Sequence, residues 1–369
     1  FKGFYKKAME HNYAIIMAGG VGSRFWPTST SEKPKQFLDI LNTGESLLQQ
    51  TFRRISSVVP TENILVVTKS DYKKICLQQL PEVLDENIIS EPLRRNTAPC
   101  IALAAFKLKK RDPLANFIIT PADHLITNES EFTRIIKLGL STTSVNNLLL
   151  TIGISPNKPE TGYGYIQFKS EEHNFDKEIK TVKTFTEKPQ LELAKSFLAT
   201  GEFLWNSGIF IWNSNAILSA FEKHMPDMYS AFDKGWDKLN SSEEIDFLET
   251  IYPQCPNVSI DYGILEKAAQ VYVLPGDFGW SDLGSWGAVY LQSQKDKNEN
   301  AGVTNNVFTY GSSGNIFSLP KEMVAVVEGL EDYIIVQSDN RLLICPKKSE
   351  QDIKRFVTDV KMKLGEDQV

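Results

Sequence analysis

The sequence predicts an α/β protein, in which helices flank a mixed but mostly parallel sheet, followed by a small C-terminal β domain. Short apolar runs without polar alternation, such as residues 14–18 and 64–67, are typical of strands buried on both faces of a parallel sheet. Amphipathic stretches of helical length separate these runs, and this alternation indicates a doubly wound arrangement. Beyond residue 295 the candidate elements are short and mainly strand-like. We therefore expect one domain over residues 1–294 and a second over residues 295–369.

The first domain is predicted to alternate strands and helices along the chain. Its strand candidates are rich in branched apolar residues and are residues 14–18, 64–67, 88–90, 117–120, 148–154, 182–186, 203–212 and 271–274. Its helix candidates are residues 46–59, whose apolar positions recur at helical spacing, and residues 71–80, 100–110 and 191–201. Several helices rich in aromatic residues are expected within residues 215–252. A further helix is expected to begin near Ser259, with Ser259 or Asp261 as its cap.

The second domain is predicted to consist of short strands and one terminal helix. The strand candidates are residues 303–310, 315–319, 323–327, 333–337 and 342–345, and the amphipathic helix is 349–364. Short strands at close spacing indicate a small sheet or a left-handed β-helix. We expect this region to form oligomer contacts or to cover the first domain.

Composition excludes several classes of protein. The formal net charge of −6 argues against broad binding of nucleic acid or of an anionic membrane, because both need a dominant basic surface. No apolar run approaches the ~20 residues of a membrane span, and residues 1–11 lack the apolar segment of a secretory signal. The cysteines, which are far apart and form no CxxC pair, are interpreted as reduced structural thiols: Cys76, Cys100, Cys255 and Cys345. We expect a cytoplasmic protein.

A glycine-rich loop follows the first strand and predicts a polyphosphate site. Gly19, Gly20 and Gly22 remove side chains at the carboxyl end of that strand, where open α/β sheets bind ligands, and Arg24 and Lys35 add cations. The loop is not a P-loop, because no Gly-Lys-Ser/Thr ends it. It also lacks the third glycine of the dinucleotide fingerprint. An ordinary glycine turn is the alternative.

Two acidic residues follow predicted strands and are candidate ligands of Mg²⁺. Asp123 comes directly after the strand at 117–120, and Asp282 follows the strand at 271–274 by a few residues. We expect both to lie after strands of one sheet, where they could converge on one divalent cation beside substrate phosphates. The alternative for each is a cap or turn residue. His124 has no neighbouring His or Cys at metal-ligand spacing, so we interpret it as a packing residue.

Three further segments have side chains suited to a sugar phosphate. Gly164 beside Tyr163 allows a close approach to a flat, hydroxyl-rich ligand, although a hairpin corner would use the same residues. Glu187 could accept hydrogen bonds from sugar hydroxyls and Lys188 could neutralise a phosphate, with a surface ion pair as the alternative. Asn206 lies within an apolar strand, where a buried amide needs a polar partner.

Several segments resemble a known family. GGVGSRFWPTSTSEKPKQFL, at residues 19–38, resembles the opening of the sugar-1-phosphate nucleotidyltransferases, and its Phe-Trp-Pro and Pro-Lys-Gln groups are similar to those of the mannose-1-phosphate guanylyltransferases. EPLRRNTAP at 91–99, SIDYGILEK at 259–267 and MVAVVEGLEDYIIVQ at 323–337 also resemble segments of this family. The resemblance covers nearly the whole chain apart from the first dozen residues.

The resemblance implies a Rossmann-like, GT-A-like nucleotidyltransferase domain and a set of site residues. Arg24, Lys35 and Asp123 would be catalytic. The nucleotide would be bound by Gly19, Gly20, Gly22, Ser23, Arg24, Lys35, Arg95, Asn96, Thr97 and Asp123. The sugar phosphate would be bound by Gly164, Glu187, Lys188, Asn206 and Asp282, and Mg²⁺ by Asp123 and Asp282. Arg94 stands where the family often has glycine.

The resemblance also implies a reaction and its participants. GTP and α-D-mannose 1-phosphate would give GDP-mannose and pyrophosphate, with Mg²⁺ as cofactor, in a homodimer or higher homo-oligomer that binds neither nucleic acid nor membrane. Spacing alone does not determine the base or the sugar. Two alternatives therefore remain: a sugar nucleotidyltransferase of different specificity, and a catalytically silent regulator that binds a nucleotide sugar.

Overall fold

The computed structural model describes residues 10–169, 175–302, 304–365 and 369. Among these residues the chain forms two compact units. The first comprises Phe1–Gly19, Thr51–Ala122 and Ile126–Trp280, and the second comprises Gly20–Gln50, Asp123–Leu125 and Ser281–Val369, as far as they are described. The second unit thus includes the glycine-rich loop as well as the C-terminal region. The domain boundary between residues 294 and 295 stays a prediction.

The strands include every predicted strand in the predicted order, and those at residues 125–126, 164–168 and 280–281 were not predicted. In chain order the strands are β1 (Asn12–Ala18), β2 (Ile64–Lys69), β3 (Ile88–Glu91), β4 (Asn116–Pro121), β5 (Leu125–Ile126), β6 (Leu149–Ile154), β7 (Gly164–Phe168), β8 (Lys180–Glu187), β9 (Phe203–Asn213), β10 (Val271–Gly276), β11 (Trp280–Ser281), β12 (Val307–Tyr310), β13 (Ile316–Ser318), β14 (Ala325–Glu328), β15 (Tyr333–Ser338) and β16 (Arg341–Pro346). The strand predicted from Val303 begins at Val307, and Val303 itself lies outside the described residues, as do residues 1–9.

Most of the predicted helices form to within a few residues of the expected ends, and the segment 215–252 forms three helices. The helices at residues 129–143 and 286–292 were not predicted. In chain order the helices are α1 (Leu47–Ser56), α2 (Lys73–Gln79), α3 (Thr97–Arg111), α4 (Glu129–Thr143), α5 (Leu191–Thr200), α6 (Ser214–His224), α7 (Pro226–Asp233), α8 (Glu244–Ile251), α9 (Trp286–Gln292) and α10 (Ile353–Leu364). The helix expected near Ser259 is a single π-helical turn, Asp261–Leu265. No helix in the described ranges is both long enough and apolar enough to cross a bilayer.

A large mixed sheet forms the centre of the first unit. Within the described residues it has nine strands in the order β3-β2-β1-β4-β9-β6-β10-β8-β7. The strands β3, β2, β1 and β4 are parallel, as are β6 and β10. The α/β class and the mixed sheet are confirmed. The antiparallel part is larger than expected, because β9 inserts antiparallel between β4 and β6, and β7 and β8 pair antiparallel beyond them.

The parallel strands β1 and β4 end side by side, at the same end of the sheet. Met17 of β1 is in register with Pro121 of β4, so the chain leaves both strands side by side. Helix α3 covers this part of the sheet, and its residues from Ala98 to Leu108 are all buried. Alanine side chains let a helix approach a sheet closely, and burial of the larger ones, such as Phe106, supplies the hydrophobic stabilisation.

The second unit joins the glycine-rich loop and the C-terminal region through one apolar core. Phe25 and Trp26 of the loop are buried together with Leu283, Trp286 and Ile353. Strand β12 pairs parallel with β14, and β13 pairs parallel with β15. Parallel pairing between every second strand is typical of the stacked coils of a β-helix. Helix α10 begins at Ile353 rather than 349, because residues 347–352 form a 3₁₀ segment.

The four cysteines are confirmed as structural thiols. Cys76, Cys100, Cys255 and Cys345 are unpaired and buried. Burial raises the pKa of Cys76 to about 12 and that of Cys255 to about 11, because an apolar environment disfavours the thiolate. Such thiols are poor nucleophiles at neutral pH.

Candidate active site

Gly22 shapes the turn that follows the first strand. Its φ of +73° is in the left-handed region, which favours glycine. A Cβ at this position would lie 2.4 Å from Cβ of Lys35, so the backbone of the turn is packed directly against the lysine side chain. The backbone N–H of Lys35 also donates to the carbonyl of Val21 at 3.2 Å. The glycine and the lysine, which are thirteen positions apart, thus form one local structure.

Gly19 and Gly20 differ from Gly22 because packing does not require them to be glycine. A Cβ at either position would meet no protein atom within 4 Å, and neither has a positive φ. Their missing side chains therefore leave open space beside the backbone, as the sequence predicts for a loop that a ligand approaches closely. Their contact with a nucleotide stays a prediction.

The ammonium group of Lys35 joins two acidic segments. Its Nζ donates to Oδ2 of Asp123 at 3.0 Å, to the backbone carbonyl of Asp123 at 3.2 Å and to the backbone carbonyl of Asp282 at 2.8 Å. The Lys35 side chain is only 4% exposed, and its Nζ lies 5.5 Å from the ring centroid of Phe25. An ammonium has three N–H donors, and here each has an oxygen acceptor. In this arrangement Lys35 holds Asp123 and Asp282 at the same place.

Asp123 is a carboxylate kept in its charged form by its neighbours. Burial by itself would raise its pKa, but the charges of Lys35 and His124 and the hydrogen bond from Lys35 outweigh burial, and the pKa lies below its ordinary value. Nε2 of His124 is 4.0 Å from Oδ1 of Asp123, in agreement with its interpretation as a neighbouring packing residue. Asp123 therefore remains an acceptor at neutral pH.

Asp282 comes after β10, which belongs to the same large sheet as β4, so the prediction that both acids come after strands of one sheet is confirmed. The short strand β11, which lies outside that sheet, stands between β10 and Asp282. Oδ1 of Asp282 accepts a hydrogen bond from the backbone N–H of Gly284 at 3.0 Å, which stabilises the turn.

A polar cavity of about 280 Å³ is lined by five of the ten residues predicted to bind the nucleotide. Its walls include the following charged side chains: Arg24, Lys35, Asp123, Asp282 and Lys354. Gly22 and Ser23 also line it. Lys354 comes from the C-terminal helix, to which the sequence analysis assigned no part in the site.

The acids of this cavity fit a hard divalent cation that is bound partly by substrate. No group of three or more His, Cys, Asp or Glu side chains with metal-binding geometry occurs in the part of the chain that the structure describes. Asp123 and Asp282 would therefore supply carboxylate oxygens, and phosphate oxygens and water would complete the coordination. This division is characteristic of Mg²⁺ and differs from a closed structural metal site.

Arg24 lies in the cavity wall with its guanidinium already oriented. Its Nε donates to Oε1 of Gln351 at 3.0 Å, and its Nη1 lies 3.4 Å from the carbonyl of Gly284. A guanidinium has five N–H donors in a fixed plane, so these two bonds set the direction of the others. The arrangement suits recognition of an oxyanion.

Four of the five residues predicted to bind the sugar phosphate lie in the first unit, and the fifth, Asp282, belongs to the second. Gly164 is the strand partner of Glu187, and a Cβ on Gly164 would lie 2.6 Å from Oε2 of Glu187 and 3.4 Å from Cβ of Asn206. The missing side chain thus leaves a gap beside a carboxylate and an amide. Lys188 forms an ion pair with Glu187 at 2.8 Å and is 63% exposed, which agrees with the alternative of a surface ion pair.

Asp261 is a residue of this group that the sequence analysis missed. Asn206 donates from Nδ2 to Oδ1 of Asp261 at 2.7 Å and accepts at Oδ1 from the backbone N–H of Gly208 at 3.2 Å. Burial raises the pKa of Asp261 to about 6; the bond from Asn206 lowers it, and the charge of Glu187 raises it further. Asp261 is the first residue of the π-helical turn and not its cap, and Oγ of Ser259 accepts from the backbone N–H of Tyr262 at 3.3 Å. The sequence shows Asp261 as an acidic residue next to a candidate cap, Ser259, and the prediction gave Asp261 only a capping role.

Three residues of the segment 91–99 are predicted to bind the nucleotide, and each forms a hydrogen bond within the first unit. Asn96 caps α3, since its side chain accepts from the backbone N–H of Thr97 at 2.9 Å. The guanidinium of Arg95 donates to the carbonyl of Pro253 at 2.9 Å, and Oγ1 of Thr97 accepts from the backbone N–H of Ile260 at 2.9 Å. Their contact with a nucleotide stays a prediction.

The guanidinium of Arg94 packs over the ring of Tyr72. It lies 5.5 Å from the ring centroid and donates to the Tyr72 hydroxyl at 2.7 Å. Stacking on an aromatic ring and a hydrogen bond to its hydroxyl together give this arginine a structural role.

Comparison with known proteins places the chain in a class of enzymes. The model of the nucleotidyl transferase family matches residues 13–299, and the chain belongs to this family. A mannose-1-phosphate guanylyltransferase of Klebsiella pneumoniae is 36% identical over 352 residues, which cover 94% of this chain and 73% of the relative. A mannose-1-phosphate guanylyltransferase of Escherichia coli strain K12 is 34% identical over 365 residues, covering 95% of this chain and 73% of the relative.

A solved structure supports the fold over almost the full chain. It is that of a protein from Thermus thermophilus named mannose-1-phosphate geranyltransferase, with a TM-score of 0.84 and 27% sequence identity. The match covers 95% of this chain and 99% of that chain. The C-terminal β region and terminal helix are therefore part of an architecture that the two proteins share.

Proposed function

We propose that this protein transfers the GMP group of GTP to α-D-mannose 1-phosphate, giving GDP-mannose and pyrophosphate. The observation that carries the proposal is the ammonium of Lys35, which holds Asp123 and Asp282 within one cavity behind a glycine-rich turn. Membership of the nucleotidyl transferase family supports the reaction class. The names of the relatives support guanine as the base and mannose as the sugar.

The reaction needs no nucleophile from the protein. An oxygen of the sugar phosphate attacks the α-phosphorus of GTP, a new P–O bond forms, and the bond from the α-phosphorus to the bridging oxygen breaks as pyrophosphate leaves. Attack in line inverts the configuration at phosphorus without a covalent enzyme intermediate. The contribution of the protein is then mainly alignment and stabilisation of charge.

Each predicted residue has a part in this proposal. The turn at Gly19, Gly20 and Gly22 offers backbone N–H groups to the nucleotide, and Ser23 and Arg24 lie beside it. Lys35 keeps the two acids in place, and its charge lies next to the developing negative charge of the pyrophosphate. Arg95, Asn96 and Thr97 contact the nucleotide; Gly164, Glu187, Lys188 and Asn206 receive the sugar phosphate.

Asp123 and Asp282 would hold Mg²⁺. When bound, the cation would neutralise the phosphate oxygens at the reacting phosphorus. The hydrogen bond from Lys35 to Oδ2 of Asp123 restrains the orientation of this carboxylate and leaves its Oδ1 for other contacts. This proposal also includes a cytoplasmic location and a homodimer or higher homo-oligomer.

The proposal is tested by measuring release of pyrophosphate from GTP with mannose 1-phosphate, with and without Mg²⁺. ATP, CTP and UTP, and glucose 1-phosphate as a second sugar, serve as controls. We expect turnover with GTP and mannose 1-phosphate that requires the metal. Preference for another nucleotide or sugar would move the protein to a different specificity within the family, and binding of GDP-mannose without any turnover would favour the silent regulator.

A further inference from the structure

The C-terminal helix brings a second lysine to the cavity that contains Lys35. Lys354 is the second residue of α10 and lines the cavity together with Arg24, Asp123 and Asp282. It is more than two hundred positions from the other charged residues of the site except Asp282. A lysine so far away in sequence can reach the cavity only if the fold places its helix there.

Packing fixes that helix where it begins. Ile353, directly before Lys354, is fully buried in the core that also contains Phe25 and Leu283. The preceding segment is held by Glu350, whose Oε2 accepts from the backbone N–H of Gly287 at 2.8 Å. Because Ile353 must point into this core, the orientation of the first helical turn is determined, and with it the position from which Lys354 extends.

The same segment also orients Arg24. Gln351 accepts from Nε of Arg24 at 3.0 Å, across 327 positions of the sequence. The neutral amide oxygen fixes the guanidinium without cancelling its charge, which a carboxylate would do in part. The C-terminal segment thus supplies one cation to the cavity and holds another in place.

The charge distribution shows why a further cation would be useful. The three N–H donors of Lys35 are engaged by oxygens of Asp123 and Asp282, so contacts to phosphate must come from other groups. Pyrophosphate and the end of a nucleoside triphosphate carry several negative charges on adjacent oxygens. Such a group is stabilised best by several cations at separate positions.

We propose that Lys354 is a phosphate-binding residue that contacts the pyrophosphate end of the nucleoside triphosphate, and that Gln351 positions Arg24 for the same group. This inference rests on the proposed function, because it takes a nucleoside triphosphate as the substrate. It extends the site to the C-terminal region. A change there would act on the leaving pyrophosphate and leave recognition of the sugar phosphate intact.

The direct test measures binding of inorganic pyrophosphate, in the presence of Mg²⁺, to Lys354→Met. Methionine keeps the length and helix propensity of the side chain and removes its charge. The matched control is Arg355→Met, because Arg355 is the next residue, pairs with Asp352 and is 67% exposed. We expect about a tenfold to hundredfold loss of pyrophosphate affinity in Lys354→Met, the value of one hydrogen bond to a charged group, and none in the control.

Three further measurements separate a binding role from a structural one. Affinity for mannose 1-phosphate and the thermal midpoint should stay unchanged in Lys354→Met, and Lys354→Arg should recover most of the pyrophosphate affinity. Equal pyrophosphate affinity in Lys354→Met and Arg355→Met, or no recovery with arginine, would overturn the role of Lys354. A wild-type protein that binds pyrophosphate through Lys354 but turns over no GTP would contradict the proposed function and leave this inference standing.

Gln351 is tested through the kinetics of Arg24. Gln351→Ala should lower kcat more than it raises KM for GTP, because the guanidinium remains present but loses its orientation. Gln351→Glu keeps an acceptor for Nε of Arg24 and should restore part of kcat. If Gln351→Ala has the kinetics of the wild type, the positioning role is wrong.

Discussion

At the scale of single residues, Gly22 links backbone conformation to the position of a charged group. It combines a positive φ with a contact of 2.4 Å between an added Cβ and Lys35. Gly44 offers a comparison within the same unit, because it also has a positive φ but an added Cβ would meet nothing within 4 Å. Comparing substitutions at Gly22 and Gly44 therefore separates the cost of backbone strain from the effect of displacing Lys35.

We predict that Gly22→Ala lowers both stability and turnover, and that Gly44→Ala lowers stability alone. A left-handed φ costs a non-glycine residue about 1 kcal/mol, and this cost applies to both variants. Only Gly22→Ala must also move Lys35 away from Asp123 and Asp282. Thermal unfolding and pyrophosphate release measure the two effects, and equal turnover of the two variants would remove Gly22 from the site.

The buried ammonium of Lys35 is a second single group whose removal has a predictable effect. Lys35→Met should reduce turnover by about two to four orders of magnitude, because it removes a charge that acts mainly on the transition state and also releases the two acids. Lys107→Met is the matched control, since Lys107 is also a buried lysine paired with a carboxylate, that of Glu244.

The two lysine variants should share a loss of stability and differ in activity. Breaking a buried ion pair costs about 3–5 kcal/mol in either case, because one charge is left without its partner. Turnover is compared at a temperature where both proteins are folded, as judged by circular dichroism. A Lys35→Met protein as active as Lys107→Met would show that Lys35 has no part in the reaction.

At the scale of secondary structure elements, the end of β3 contains an unusual carboxyl group. Glu91 is 6% exposed and accepts at Oε1 from the hydroxyl of Tyr252 at 2.9 Å. Burial raises its pKa to about 7, although the bond from Tyr252 and the charge of Arg94 act in the opposite direction. The folded protein therefore binds a proton at Glu91 more tightly than the unfolded chain does.

This shift predicts a loss of stability as the pH rises. The contribution of Glu91 is fully present below pH 4.5, its ordinary pKa, and is lost as the pH rises to about 7. The loss amounts to about 3 kcal/mol. Glu91→Gln keeps an acceptor for Tyr252 and cannot ionise, so its stability relative to wild type should increase across this window.

The measurement is the thermal midpoint of Glu91→Gln and wild type at several pH values, taken as a difference so that the other titrating groups cancel. Glu86→Gln is the control, because the side chain of Glu86 is 73% exposed. A constant difference between Glu91→Gln and wild type from pH 4.5 to 8 would show that Glu91 has no raised pKa.

Some strands could be predicted from the sequence pattern alone, and the position of others in the sheet could not. The apolar run at β1 and the one at β4 predicted buried strands correctly, because a strand covered on both faces has no polar positions. The antiparallel insertion of β9 left no comparable signal. A strand between two neighbours is apolar whichever direction it runs, so its partners follow from the tertiary structure alone.

At the scale of the whole molecule, removal of metal should affect the reaction and leave the fold intact. The protein offers Asp123 and Asp282 to a cation, and the described ranges contain no group of three or more His, Cys, Asp or Glu side chains that could hold a metal ion. We expect a chelator to abolish turnover and leave the thermal midpoint unchanged, because so small a set of protein ligands contributes little to folding. Asp282→Asn should raise the Mg²⁺ concentration needed for half-maximal turnover. A metal dependence identical to that of wild type would leave Asp282 as a turn residue only.

The α/β class, the glycine-rich turn and the acids can be predicted from the sequence alone, because buried strands, bare backbone and isolated carboxylates are local properties of the chain. Long-range packing is what brings Asp282 to Lys35, pairs Asp261 with Asn206, and places Lys354 of the terminal helix at the cavity. These contacts join residues between 55 and 247 positions apart, or more in the case of Lys354. No local pattern encodes them, since they depend on how separate elements pack on shared cores.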